Sequence, residues 1–206
     1  MHSAPSPTDP LHWLTAVLAR DADRLFLETA NGRRYSYGEF DALAQRLAAA
    51  LSRRGVTCND RVVAQIDKSP EAIALYVACL KLGAVFVPLN TAYTLAEVDY
   101  FLRDAQPRVA VVQPQQLQGV REIAVQAAIE HVETMGAAGE GSLLQLAAAS
   151  QLHEFEHFPG DPAALAALLY TSGTTGRSKG AMLTRGNLAS NAATLAALYG
   201  DRKSVV

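Results

Sequence analysis

Residues 171–180, TSGTTGRSKG, concentrate small, hydroxylated and basic residue types in one short stretch. Gly173, Gly176 and Gly180 permit positive φ angles and carry no Cβ, so successive backbone N–H groups can converge on an anion. The Thr and Ser hydroxyls add further donors, and Lys179 adds a positive charge on a flexible stem. So many donors and a cation suit a polyphosphate better than a neutral ligand. The composition therefore predicts a phosphate-binding loop.

Other loop types are alternatives for this stretch. One is a Gly- and Thr-rich surface turn that binds nothing. Another is the nucleoside-triphosphatase loop, G-x-x-x-x-G-K-[ST], which needs adjacent Gly and Lys residues before a helix. Here Gly176 and Lys179 are separated, and the apolar residues 181–183 are typical of a strand. The dinucleotide fingerprint G-x-G-x-x-G does not occur, so we expect a phosphate loop of a different type.

Residues 153–157, HEFEH, match the H-E-x-x-H pattern that binds zinc in metalloproteases when it lies on a helix. The Pro-Gly pair at 159–160 would end such a helix within one turn, and no third ligand of the usual type follows. The sequence favours a solvated linker whose Phe155 and Phe158 cover an edge of the core. A zinc hydrolase stays open as an alternative class.

Charge and composition favour a small-molecule ligand. The chain of 206 residues has 18 Lys and Arg against 20 Asp and Glu, which gives a formal net charge of −2. It therefore lacks the basic field that steers proteins to nucleic acids or to acidic membranes. We expect neither a nucleic-acid partner nor a membrane partner, and we interpret Lys68 and Arg103 as solvent-facing charges.

Neither the cysteines nor the apolar stretches indicate secretion or a membrane span. Cys58 and Cys79 are too few for a disulfide framework and lack a metal-site spacing, so the expected compartment is the cytoplasm. Residues 1–10 lack a signal-peptide pattern and are predicted to be a disordered lead-in. The longest apolar stretch, 72–89, is interrupted by Lys81 and predicts a buried helix followed by a buried strand.

The hydrophobic pattern predicts an α/β fold with a mostly parallel sheet and flanking helices, because β-rich runs alternate with helical segments. The predicted segments of two βαβ units are strand 61–66, helix 69–83 capped by Ser69, strand 85–89, a helix begun by a Thr94/Glu97 capping box, and strand 108–112. Asn31-Gly32 indicates a β-hairpin upstream. Residues 114–163 are less informative and fit one more α/β turn and a connection.

Amphipathic spacing predicts two further helices. Apolar runs also predict a pair of strands on either side of the candidate loop. The first helix follows the hairpin, and the second follows the loop. Strands are predicted at 165–170 and 181–183. The apolar faces of the two helices are Phe40, Leu43, Leu47 and Leu51, and Leu188, Ala192, Leu195 and Leu198.

Residues 170–180, YTSGTTGRSKG, resemble the phosphate-binding signature of the superfamily of AMP-forming acyl-CoA synthetases, adenylation domains and luciferases. YSYGEF at 35–40 and LKLGAVFVPLN at 80–90 resemble that family's first two core motifs, in the same order. Residues 88–107 and 172–191 are similar to bacterial malonyl-CoA synthetases. The resemblance extends from about Leu11 to Leu198.

The resemblance implies a two-step ligase. A carboxylic acid, which the narrower likeness implies is malonate, attacks the α-phosphate of ATP, and coenzyme A then displaces AMP from the acyl-adenylate to give a thioester. The implied cofactors are ATP and Mg²⁺, with coenzyme A as a substrate and a small carboxylic acid as the partner. The residues that the resemblance assigns to the ATP phosphates are Thr171, Ser172, Gly173, Thr174, Thr175, Gly176 and Lys179. Thr171 is also assigned to Mg²⁺.

The resembled family is much longer than this chain. Residues 11–200 are expected to form an incomplete N-terminal adenylation domain that is inactive alone, with the catalytic residues beyond residue 206. Residues 201–206, DRKSVV, can be encoded by a common sequencing-adapter sequence, and we predict that they are a non-native tail. A stand-alone nucleotide- or phosphate-binding module is the alternative function.

Overall fold

The computed structural model describes residues 9–152, 154–171 and 178–199. The predicted alternation of strands and helices is confirmed. The strands are β1 (Leu25–Glu28), β2 (Arg34–Ser36), β3 (Arg61–Gln65), β4 (Val85–Pro88), β5 (Val109–Val112), β6 (His131–Thr134), β7 (Leu165–Thr171) and β8 (Lys179–Thr184). The helices are α1 (His12–Leu18), α2 (Tyr37–Arg53), α3 (Pro70–Leu82), α4 (Leu95–Ala105), α5 (Leu117–Gln126), α6 (Ser142–Ala148) and α7 (Arg185–Tyr199).

The central element of the described residues is a six-stranded sheet in the order β6-β5-β3-β4-β7-β8. The first five of these strands are mutually parallel, whereas β8 pairs antiparallel with β7. Helices α2, α3 and α6 pack on one face, and α4 and α5 cover the other. The predicted fold class, a mostly parallel sheet with flanking helices, is therefore confirmed.

Local signals begin the helices where the sequence predicts. The Ser69 hydroxyl accepts a hydrogen bond from the Ala72 amide, and Pro70 occupies the first turn of α3. Thr94 and Glu97 form the expected capping box of α4. A second capping box, Ser36 with Glu39, begins α2; its S-x-x-E spacing was readable in the sequence but was not identified.

The apolar stretch at 72–89 is a buried helix and a buried strand, as predicted. Lys81, which argued against a membrane span, is itself buried, and its Nζ lies 2.7 Å from Asp41 Oδ1 on α2. A buried ammonium needs such a partner because an isolated charge in the core is strongly unfavourable. In the described part of the chain, no helix is long and apolar enough to cross a membrane.

The β1–β2 hairpin forms around Asn31-Gly32, as predicted, and is separate from the large sheet. Glu71, in the first turn of α3, fixes it from the side. Arg33 Nη1 donates to Glu71 Oε1 over 2.7 Å, and the Tyr35 hydroxyl donates to the same oxygen over 3.1 Å. Burial acts to raise the pKa of Glu71, but the hydrogen bonds from its own backbone amide and from Arg33 outweigh it and lower that pKa.

The face of α7 that the spacing predicts is only partly covered. Leu188 and Ala192 are half-buried, and with Leu195 they line a groove shared with α1 and α3. Leu195 and Leu198 remain 47% and 70% exposed. The apolar stripe is therefore present in the described residues but is not fully packed.

Gly83 ends α3 in the left-handed region, at φ +72°, beneath the ring of Phe158. A Cβ at this position would lie 2.6 Å from Phe158 Cδ2, whereas a Cβ at Gly55, at φ +74°, would meet no atom within 4 Å. Gly83→Ala should therefore lower the free energy of unfolding by about 1 kcal/mol more than Gly55→Ala, since only the first adds overpacking to the backbone strain. Denaturant unfolding of both variants checks this, and equal losses would contradict it.

Candidate phosphate-binding site

The candidate loop joins the ends of an antiparallel strand pair. The strands run further than the sequence predicts, so that Thr171 and Lys179 are themselves a paired position and Gly180 lies within β8. The loop is therefore shorter than 171–180, because backbone pairing extends the hairpin at both ends. Gly180 has a packing reason to lack a side chain, since a Cβ there would lie 2.7 Å from Leu168 Cδ1.

Two of the predicted site residues are described, and the structure brings them together. Thr171 and Lys179 face each other across the strand pair, and both side chains are exposed. The Thr171 hydroxyl donates to the Lys179 carbonyl over a long 3.5 Å. The other predicted site residues, Ser172, Gly173, Thr174, Thr175 and Gly176, lie outside the described residues.

The loop lies at the carboxyl edge of the parallel sheet. Strand β7 runs parallel to β4, with Ala167 opposite Phe86, so Thr171 follows the direction in which β3, β4 and β5 also end. Ligands of open parallel sheets bind outside this edge, in the crevice where the connections diverge. The topology therefore places Thr171 and Lys179 where a bound molecule is expected.

Polar side chains at the carboxyl ends of β3 and β5 make hydrogen bonds at this same edge of the sheet. They are not among the residues that the sequence predicts for the site. Gln113 Nε2 donates to Asp67 Oδ2 over 2.6 Å. The amide of Gln65, a buried residue, donates over 3.1 Å to the carbonyls of Asn90 and Tyr93. Glutamine at the end of an otherwise apolar strand was the available signal, because a buried amide must be hydrogen-bonded.

Helix α4 contacts the chain on both sides of the loop, at Tyr170 in β7 and at Ser178, the residue before β8. The ring centroids of Phe101 and Tyr170 lie 4.6 Å apart, and the Tyr170 hydroxyl donates a short hydrogen bond to Asp104 Oδ2. The Tyr100 hydroxyl donates to the Ser178 carbonyl over 3.1 Å. Arg103, on the same helix, is exposed and paired with Asp99, as its interpretation as a solvent-facing charge predicts.

Burial, together with the hydrogen bond to Asp104 and its charge, raises the pKa of Tyr170 well above the ordinary value of 10.0. The hydrogen bond needs the phenolic proton. The contribution of this hydrogen bond to the free energy of unfolding is therefore complete below about pH 10, the tyrosine pKa of the unfolded chain. It disappears only as the pH rises through the higher pKa that Tyr170 has in the folded chain.

In an alkaline titration followed by tyrosinate absorbance, the absorbance of Tyr170→Phe is subtracted from that of wild type to isolate the ionisation of Tyr170. This difference should rise at a higher pH than the absorbance of an exposed tyrosine does. Asp104→Asn should shift this ionisation to lower pH, because the carboxylate charge is removed while an acceptor oxygen remains. A difference curve with an ordinary tyrosine midpoint would contradict the assignment.

The hairpin base is anchored by a buried arginine at the start of α7. Arg185 is 1% exposed; its Nη1 donates to the Leu80 carbonyl over 2.7 Å, and its Nη2 donates to both carboxylate oxygens of Asp9 over 3.0 and 2.8 Å. Its guanidinium carbon lies 5.2 Å from the centroid of the Phe158 ring. Arg185 thus joins the hairpin to the N-terminal segment, to α3 and to the 154–164 connection.

The described part of the H-E-x-x-H stretch, residues 154–157, does not adopt the helical geometry that its zinc interpretation requires. His153 lies outside the described residues, and residues 154–164 contain no helix. Phe155 packs against the core and contacts His157 in a tilted arrangement, with ring centroids 4.4 Å apart. Phe158 covers Gly83 and Arg185. The predicted linker that covers a core edge is therefore confirmed.

Comparisons with known proteins agree with this geometry. The model of the AMP-binding enzyme family matches residues 14–205. The crystal structure of ATP-bound MatB from Rhodopseudomonas palustris superimposes with a TM-score of 0.86 at 46% identity, covering 94% of this chain and 38% of that one. The feruloyl-CoA synthase of Amycolatopsis sp is 37% identical over 164 residues, covering 78% of this chain and 30% of its own length.

The probable CoA ligase CCL9 of Humulus lupulus is 28% identical over 190 residues, covering 90% of this chain and 36% of its own length. This chain thus spans about a third of the length of these relatives. Since the family model covers nearly all of the chain, including the hairpin with Thr171 and Lys179, this protein belongs to the AMP-binding enzyme family.

Proposed function

We propose that this chain is the phosphate-binding part of an ATP-dependent, AMP-forming acid–CoA ligase. The observation that carries the proposal is the antiparallel hairpin at the carboxyl edge of the sheet, which sets Thr171 opposite Lys179 on either side of the glycine- and hydroxyl-rich loop. Family membership and the likeness to an ATP-bound structure support ATP as the ligand.

In this proposal the loop binds the β- and γ-phosphates of ATP. Thr171, Ser172, Gly173, Thr174, Thr175 and Gly176 supply backbone and hydroxyl donors, and the ammonium of Lys179 offsets phosphate charge. With the phosphates held, the α-phosphate is oriented toward the substrate carboxylate, and positioning of this kind supplies most of the catalysis in phosphoryl transfer. Coenzyme A then accepts the acyl group as a thioester.

The residues at the hairpin fit a magnesium ion that is shared with the phosphates. Mg²⁺ takes oxygen ligands, usually from one or two protein groups together with phosphate and water oxygens. The Thr171 hydroxyl is exposed, and its own hydrogen bond within the hairpin is long, so it is available for such a role. When bound, the ion would neutralise charge on the phosphate oxygens.

Malonate is the proposed acid. Its support is the likeness to MatB, at 46% identity over 94% of this chain, together with the sequence similarity to malonyl-CoA synthetases. The second candidate is an aromatic acid, which the 37% identity to a feruloyl-CoA synthase favours.

The test of the reaction class is a chimeric ligase in which residues 11–199 replace the matching region of R. palustris MatB. We expect exchange of pyrophosphate into ATP that depends on added acid. An inactive chimera that folds and still binds ATP would contradict the ligase assignment and favour a stand-alone phosphate-binding module. For the acid, the genomic frame downstream of codon 206 should be sequenced and expressed whole; faster exchange with ferulate than with malonate would reject malonate.

A further inference from the structure

We infer that helix α4 is a positioning element for the phosphate loop, with Tyr100 and Asp104 as its positioning residues; this inference rests on the proposed function. The α4 clamp is defined here as Tyr100, Phe101 and Asp104. These residues contact the two chain segments that flank the loop, Tyr170 on one side and Ser178 on the other.

On the β8 side, the clamp acts on the backbone. The Tyr100 hydroxyl donates to the carbonyl oxygen of Ser178 over 3.1 Å. Ser178 directly precedes Lys179, the first residue of β8. The contact therefore fixes the chain one residue before the lysine that the proposal assigns to the phosphates.

On the β7 side, the clamp acts on a side chain. Tyr170 directly precedes Thr171, packs its ring at a tilt against Phe101 and donates a hydrogen bond from its hydroxyl to Asp104. Tyr100 and Asp104 are four residues apart and thus lie on one face of α4. A single rigid helix consequently holds both ends of the loop at a fixed separation.

The three side chains of the α4 clamp differ in burial, and this difference distinguishes a positioning role from a contribution to the stability of the core. Phe101 is 2% exposed and belongs to the core, whereas Tyr100 is half-buried and Asp104 is exposed. The two hydroxyl contacts therefore contribute little to the core. Their effect is to order in advance the donors on either side of the loop, so that less ordering remains to be done when a polyphosphate binds.

The experiment uses the 206-residue chain with Tyr100→Phe and Tyr170→Phe, which remove only hydroxyl groups. Amide hydrogen exchange is measured across β7 and β8, and binding of inorganic tripolyphosphate is measured by calorimetry. For Tyr100→Phe we expect exchange at the loop-flanking strand ends, and the Kd for tripolyphosphate, to rise about three- to tenfold, as expected for one neutral hydrogen bond. Tyr170→Phe removes a hydrogen bond to a carboxylate, so its rise should be larger, about tenfold or more. The thermal midpoint should fall by only about 2–4 °C, and exchange in the centre of the sheet should stay slow.

Two comparisons sharpen the result. Asp104→Asn keeps a neutral acceptor oxygen for Tyr170 and should lie between wild type and Asp104→Ala, whereas Asp104→Ala should behave like Tyr170→Phe. Tyr76→Phe is the matched control, because Tyr76 packs on Phe86 on the other face of the sheet and its hydroxyl makes no hydrogen bond within the described residues. It should change neither exchange at the strand ends nor tripolyphosphate affinity.

Each other outcome is decisive. Unchanged exchange in both hydroxyl variants overturns the clamp, and so does faster exchange with unchanged tripolyphosphate affinity. Exchange that accelerates equally over the whole sheet, with a thermal midpoint lowered by about 10 °C or more, would assign the contacts to global stability and also overturn it. If the wild-type chain binds no tripolyphosphate, the loop assignment under the proposed function fails, while the exchange data still decide whether α4 holds the strand ends.

Discussion

Adenylation by the MatB chimera should fall about a hundredfold or more when Lys179 is replaced by alanine, the loss typical of removing one electrostatic contact to charge that develops in the transition state, here on the departing pyrophosphate. Lys179 begins β8 opposite Thr171, and its side chain is exposed at the carboxyl edge of the sheet. Without it, no ammonium at this position offsets the phosphate charge. The measurement is kcat/KM for ATP in acid-dependent pyrophosphate exchange.

Lys68→Ala is the control for this prediction. Lys68 is an exposed lysine near the end of β3, so its removal changes the net charge by the same amount at the same edge of the sheet. It forms no ion pair within the described residues. Near-wild-type exchange is expected from Lys68→Ala, and equal losses in both variants would indicate a general charge effect instead of a contact.

Two loop variants extend the same test to positions outside the described residues. Thr175→Ala removes a hydroxyl donor, and Gly176→Val adds a branched side chain where backbone amides are proposed to approach the phosphates. Both should reduce exchange as strongly as Lys179→Ala. Unchanged rates in both would refute the role assigned to the loop.

Arg185→Ala should lower the free energy of unfolding of the 206-residue chain by about 3–5 kcal/mol, as expected when one partner of a buried ion pair is removed. The change leaves the carboxylate of Asp9, whose side chain is 12% exposed, without its bidentate partner. It also leaves the Leu80 carbonyl without its donor and removes the guanidinium from the face of Phe158. Denaturant unfolding with linear extrapolation gives the difference.

Arg103→Ala is the matched control, because Arg103 pairs with Asp99 at the surface, where both side chains are more than a third exposed. Its loss should stay below about 1 kcal/mol. Combining Arg185→Met with Asp9→Ala should recover part of the stability lost by Arg185→Ala, because no unpaired buried charge remains. A loss below about 1 kcal/mol for Arg185→Ala would show that Asp9 finds solvent or another partner.

The sequence alone determined those features whose causes lie close together in the chain. The capping box of α4 joins residues three apart, the hairpin turn depends on Asn31-Gly32, and the two βαβ units follow from hydrophobic periodicity. The composition of 171–180 likewise predicts phosphate binding, because glycines, hydroxyls and a lysine suit an anion whatever distant residues pack around them. Each of these signals depends on residues close together in the chain, so it can be recognised without knowledge of the fold.

Only the tertiary structure decided which distant residues support the site. Arg185 reads in the sequence as an ordinary helix-start arginine, yet it is buried against Asp9, 176 residues away. Tyr100 and Ser178 are 78 residues apart, and Asp104 and Tyr170 are 66 apart. Side-chain type and spacing carry no information about such pairs. They meet because β7 joins the sheet beside β4 and thereby carries the hairpin onto α4, an arrangement set by the packing of the whole sheet.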